Sequence, residues 1–156
     1  MPCALAADAK LETPEGPLTV KTVGVSPTPV MVLDAESVHR FTMSTDVRVV
    51  AAAQPVLRVT LDNGRAVRLG PEQMLLAVDG VPRRVGDLRA GDRLLCAFAF
   101  PVGYAYRSDA GDACLSDGGV GVAGVADGGS VDLYSLHIPT GARLVLSAGL
   151  VAPAAP

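Results

Sequence analysis

The chain has 156 residues, enough for a single domain with one real core. A hydrophobic share of 49% with only 19% charged residues describes a globular chain on the apolar side, and the formal net charge of −3 excludes the clustered cationic surface that nucleic-acid binding requires. Runs of about 20 apolar residues, the length a membrane helix needs, are absent, so membrane insertion is not expected.

Twelve prolines and 17 glycines spread along the chain fit many short strands and turns. The start has no basic region before its apolar residues, and Asp8 and Lys10 interrupt it, so no secretory signal is read. Cys3, Cys96 and Cys114 are an odd and small number, which points to a reducing, cytoplasmic setting without a disulfide framework.

Residues 18–25 are β-branched and apolar and read as a strand, broken by Pro27 and Pro29. Residues 30–33 form a short apolar strand, and 34–39 fit a turn or a single helical turn. Residues 41–53 are again strand-like at Val47, Val49 and Val50, with Gln54-Pro55 as the expected stop. The central stretch, 56–98, is the most informative. Val56, Arg58 and Thr60 alternate with Leu57, Val59 and Leu61, and Asp62-Asn63-Gly64 supplies a reversal. Residues 65–69 return as the second strand. Residues 74–78 and 81–85 make a second hairpin about Asp79-Gly80, and Asp87 to Asp92 is a polar turn before the apolar run 93–98. Residues 101–130 are rich in Gly and Asp and read as a loop or one extra hairpin.

The order of these motifs resembles the Hint family, the fold shared by inteins and hedgehog autoprocessing domains. The opening block 3–16 matches at Cys3, Asp8, Leu11 and Gly16. The closing block 131–154 matches at Leu133-Tyr134-Ser135-Leu136, the turn Pro139-Thr140-Gly141 and the strands after it. The resemblance implies an all-β, pseudo-twofold horseshoe of short strands and hairpins, as one Hint-like domain over 1–156 without an endonuclease insert. It also implies that the two ends lie close together.

The chemistry of that family is largely missing. A Cys thiol attacks the preceding carbonyl, a Thr-x-x-His block protonates the departing nitrogen, and a terminal His-Asn pair completes splicing. Gly70 and Gln73 stand where the Thr and His belong, Ser135 where the family has Asp, and Pro153 and Ala154 where it has His-Asn. An amide does not titrate near pH 7, and Ala154 cannot cyclise. Loss of a positioned general acid alone costs about 10² to 10⁴ in rate. Of the six groups, Cys3 alone remains, as a vestigial nucleophile, and only Met1-Pro2 precedes it, so cleavage there would release a dipeptide. Cys3, Gln73 and the Pro153-Ala154 segment are expected to cluster.

His39 and His137 lie outside the family's reactive positions. With the three cysteines they show no CxxC or HxxxH spacing, so no metal and no cofactor is expected. Gly119-Val120-Gly121-Val122-Ala123-Gly124 fits G-x-G-x-x-G, but no helix pattern follows it, and it reads as a flexible Gly-rich loop. Asp109, Asp112 and Asp117 lack the alternate spacing of a calcium loop. Two functions follow. One is a catalytically degenerate module serving structure or protein–protein interaction, its apolar surplus (mean hydropathy +0.37) covered by a partner or by self-assembly. The other is residual autoprocessing at Cys3 within a larger precursor.

Overall fold

The computed structural model describes residues 4–153, so Cys3 and Ala154 lie outside the described residues. In chain order the elements are β1 (Leu5–Ala6), β2 (Lys10–Thr13), β3 (Gly16–Thr19), α1 (Val20–Val25), β4 (Pro29–Leu33), β5 (His39–Met43), β6 (Thr45–Leu61), β7 (Ala66–Leu69) and β8 (Met74–Leu76). There follow β9 (Pro82–Arg84), a 3-10 turn (Val85–Asp87), β10 (Arg93–Leu95), β11 (Ala105–Arg107), β12 (Ala113–Leu115), β13 (Gly119–His137), β14 (Arg143–Val145) and β15 (Val151–Ala152). The protein is all-β apart from α1 and the 3-10 turn.

The two long strands organise it. β6 and β13 pair antiparallel from Val122 opposite Leu61 to His137 opposite Thr45, with several bulges that bend the ribbon. A five-stranded sheet forms around them in the order β1-β7-β6-β13-β10. β1 also pairs with β13, Leu5 opposite Tyr134, and Leu5 meets Leu69 of β7 on its other side. A four-stranded sheet, β15-β14-β4-β5, supplies the second layer. The core between them is leucine and valine: Leu5, Leu61, Leu69, Leu75, Leu94, Leu146 and Leu150 are fully buried. Among the described residues no aromatic ring is. No helix among the described residues is long and apolar enough to cross a membrane.

The turns form where residue type demands them. Gly64 at φ 84° closes the β6–β7 hairpin, with the Arg65 N–H donating to Asn63 Oδ1 at 3.0 Å. Gly80 at φ 80° closes β8–β9, where the Val81 N–H donates to Asp79 Oδ1 at 2.9 Å. The polar turn before β10 is pinned to β13 on both sides, Gly91 N to Val122 O and Val122 N to Asp92 O, each 2.8 Å.

Three sequence expectations are corrected. Residues 18–25 are not one strand: the chain turns helical at Val20 because the Thr19 side chain caps it, Oγ1 accepting from the Thr22 N–H at 3.2 Å. Val20 and Val23, three residues apart, then share the buried face. Gln54-Pro55 does not end a strand. β6 runs through it, and Pro55 lies opposite Ser130 beside a bulge, where a missing N–H costs the ladder little. The glycine run 119–129 is not a flexible loop but most of β13. Three of its glycines, Gly119, Gly121 and Gly128, allow close approach: a Cβ at Gly119 would run into the Val78 side chain and lie 2.6 Å from the Leu94 carbonyl oxygen. A Cβ at Gly128 would meet the Arg58 nitrogen and the Val56 oxygen, both at 3.1 Å. The extra hairpin is β11–β12.

Gly119→Ala therefore overpacks the contact between β13, β10 and Val78. We expect a loss of about 1–3 kcal/mol, read as a lower urea midpoint with an unchanged slope. Gly124→Ala, at a position with nothing within 4 Å of the new methyl, is the matched control.

Candidate functional site

The turn after β7 carries the residues at the Thr-x-x-His positions. It is built from backbone bonds: Gln73 N donates to Gly70 O at 3.0 Å, and the 3-10 turn buttresses it through Val85 N to Gln73 O and Gly86 N to Pro71 O, both 2.9 Å. On its outer rim Arg84 bonds both Glu72 and Asp87. The Arg84 hydrogen bond and charge hold the Asp87 carboxyl below the usual carboxylate range.

Gln73 points inward. It is 4% exposed, and with Thr13 it is one of two buried polar side chains among the described residues. Both ends of its amide are used. Oε1 accepts from the Ala4 N–H at 2.7 Å, and Nε2 donates to the Met74 carbonyl at 2.8 Å. The two partners fix the orientation of the amide, since a backbone N–H faces only an acceptor and a carbonyl only a donor. Gly70 closes the arrangement, its N–H donating to the Ala4 carbonyl at 2.8 Å. Ala4 is thus gripped on both sides by the Gly70–Gln73 turn. The grip is tight. A Cβ built at Gly70 would lie 2.9 Å from the Ala4 Cβ and 3.2 Å from Leu133 Cδ1.

Ser135 and Pro153, the other described positions singled out in the sequence, lie on or beside other elements. Ser135 lies on β13 opposite Arg48 of β6, half-buried. Pro153, also half-buried, follows β15, whose Val151 shares an apolar cluster with Leu76 of β8, the strand that begins beside Gln73. The first and last strands do not pair with each other: β1 is held by β7 and β13, β15 by β14. His39 is remote in role, its Nε2 2.9 Å from the Ala97 carbonyl and its ring stacked on Phe98 at 6.1 Å. His137 ends β13 and is exposed. Among the described residues no cluster of His, Cys, Asp and Glu has metal-binding geometry.

As chemistry, the arrangement is a hydrogen-bond bridge. The group facing the amide nitrogen is a carbonyl oxygen, which accepts a proton and has none to give. Ala4 and Met74, the two partners of Gln73, were not legible in the sequence. Ala4 is 69 positions away, and nothing local to either residue announces the pairing.

Gln73→Ala leaves the buried Ala4 N–H without a partner. The expected cost is about 1–3 kcal/mol in urea unfolding. Glu72→Ala, one residue away on the exposed rim, is expected to cost about 0–1 kcal/mol.

No protein-family model matches the chain, and no curated protein matches it by sequence. Solved structures do match it in shape. The Ssp DnaB mini-intein variant M86 superposes with a TM-score of 0.75 at 12% identity, over 98% of this chain and 94% of that one. A DnaB intein from Synechocystis gives 0.72 at 12% identity, over 97% and 99%. A bacterial intein-like domain from Clostridium thermocellum gives 0.72 at 14% identity, over 96% and 97%. At such identities the likeness concerns the fold, and it spans nearly the whole of each chain: the protein has the all-β Hint-type fold of the mini-inteins.

Proposed function

We propose that the protein is a catalytically degenerate Hint-type module, not competent for splicing or self-cleavage, that acts as a structural or protein-interaction module. The Gln73 bridge carries this reading. Acyl transfer from a backbone amide needs a proton for the departing nitrogen. The side chain at the position of the family's proton donor is an amide that presents its oxygen to a backbone N–H, that of Ala4, and is held there by a second bond to Met74 O. Gly70 adds no hydroxyl, and Pro153 neither donates a proton nor cyclises. Meanwhile the turn geometry that positions the residue facing the nitrogen is intact, as expected where the position serves to hold β1 in place.

The distribution of aromatic rings supports an interaction role. Phe41, Phe98, Phe100 and Tyr104 are each close to half exposed, while among the described residues no ring is fully buried. Phe100 stacks on Tyr104 at 4.6 Å and packs against Tyr106 at 5.5 Å, beside the exposed Val102 and Leu115 of the projecting β11–β12 hairpin. Rings left exposed while Tyr134 alone packs against the main core cluster are a costly arrangement for a solitary chain and a common one at protein interfaces. We assign the partner to the protein class, another protein or a second copy. The acidic net charge and the scattered basic residues disfavour nucleic acid, and the chain's chemistry is that of a reducing, cytoplasmic compartment without a cofactor.

Two measurements test the proposal. The unmodified protein, incubated with dithiothreitol, is expected to keep its intact mass; thiol-dependent loss of the N-terminal residues would assign it instead to residual autoprocessing at Cys3. Phe100→Ser and Tyr104→Ser are expected to change stability by about 1 kcal/mol or less each, because the rings are exposed and only their mutual stacking is lost. A loss of several kcal/mol would make the cluster a core element and remove the support it gives to an interaction role.

A further inference from the structure

The structure places one backbone nitrogen against the side-chain oxygen at position 73. That nitrogen belongs to Ala4, bonded to Gln73 Oε1 at 2.7 Å, and the carbonyl of the same residue is held by Gly70 N at 2.8 Å. The next residue, Leu5, is locked into the sheet between Leu69 and Tyr134, which fixes the register of this segment against a one-residue slip.

The chemistry of an N-to-S acyl shift decides what this register means. A thiol on the β-carbon of any residue reaches the carbonyl before it through a five-membered ring, and the nitrogen released is that residue's own. A thiol on residue 3 attacks the carbonyl of residue 2 and releases the nitrogen of residue 3. A thiol on residue 4 attacks the carbonyl of residue 3 and releases the nitrogen of residue 4, the one that position 73 touches.

We propose, resting on the degenerate Hint-type reading above, that Ala4 and not Cys3 occupies the nucleophile's place, and that the bond held in the vestigial site is the Cys3–Ala4 peptide bond. The nucleophile has then been replaced by a methyl group, and Cys3 contributes the acyl side of the bond. Gly70 has to stay a glycine in any test, because a Cβ there would press on the Ala4 methyl at 2.9 Å.

The test compares two variants of the full chain in dithiothreitol, by intact mass. In Ala4→Cys/Gln73→His the introduced thiol forms a bond to the carbonyl carbon of residue 3 as the C–N bond breaks. The nitrogen of residue 4 takes its proton from the introduced imidazolium. Dithiothreitol then exchanges with the thioester and carries residues 1–3 away, leaving a chain that begins at position 4. Gln73→His alone, with Cys3 in place, is expected to lose nothing. Loss of residues 1–2 from either variant overturns the assignment. A second readout needs no cleavage. In Gln73→His the ¹H–¹⁵N resonance of the residue 4 amide is expected to follow the imidazole titration between about pH 5 and 8, and a residue 4 amide indifferent to that titration overturns the assignment as well. Thiol-dependent release by the unmodified chain has a different meaning: it removes the degenerate reading itself.

Discussion

The antiparallel pairing of β6 with β13 is the constraint on which the rest depends. These two strands run the length of the molecule, and each carries its own neighbours: β7 on β6, β10 on β13, and β1 against both β7 and β13. Such a ribbon forms only if its backbones approach closely at the bulges and crossings. That is why β13 is rich in glycine where a strand of this length would ordinarily be β-branched. At Gly119, Gly121 and Gly128 a methyl group would collide with a neighbour; at Gly121 the Asp62 carboxylate would be 2.5 Å away.

The same pairing places the vestigial site. β1 is only two residues long and could not hold its position alone. It is fixed by the sheet at Leu5 and Ala6 and by the Gly70–Gln73 turn at Ala4. A buried amide with both ends satisfied is a stable way to hold such a segment, because the alternative is an orphaned N–H in an apolar setting. Position 73 thus makes a structural bond to a backbone nitrogen with a group that does not titrate.

Much of the frame was legible in the sequence because turns are local. Asp62-Asn63-Gly64, Asp79-Gly80 and Gly91-Asp92 each close through hydrogen bonds within a few residues, Gly64 N to Leu61 O, Gly80 N to Ala77 O and Asp92 N to Arg89 O, and strands bounded by them follow. The misread segments were those where distant packing overrides local preference. The glycines of β13 look like a loop until Val78, Leu94 and Arg58 are brought against them. The valines of α1 look like a strand until Thr19 caps the turn and the core takes Val20 and Val23. The site was half legible. That Gly70 carries no hydroxyl and Gln73 no titrating group could be read from residue type. Which backbone nitrogen Gln73 faces could not, because it depends on a register set across 69 residues.

The central claim is that Gln73 serves as a buried bridge to the first strand. Amide hydrogen exchange at Ala4, measured by NMR on the unmodified protein, tests it most directly. A backbone amide without a structural partner exchanges at the rate of an unstructured peptide. The account predicts that the Ala4 amide is protected to nearly the extent of the β6–β13 core amides, and that protection falls selectively at Ala4 in Gln73→Ala. An Ala4 amide that exchanges freely in the native protein would contradict it.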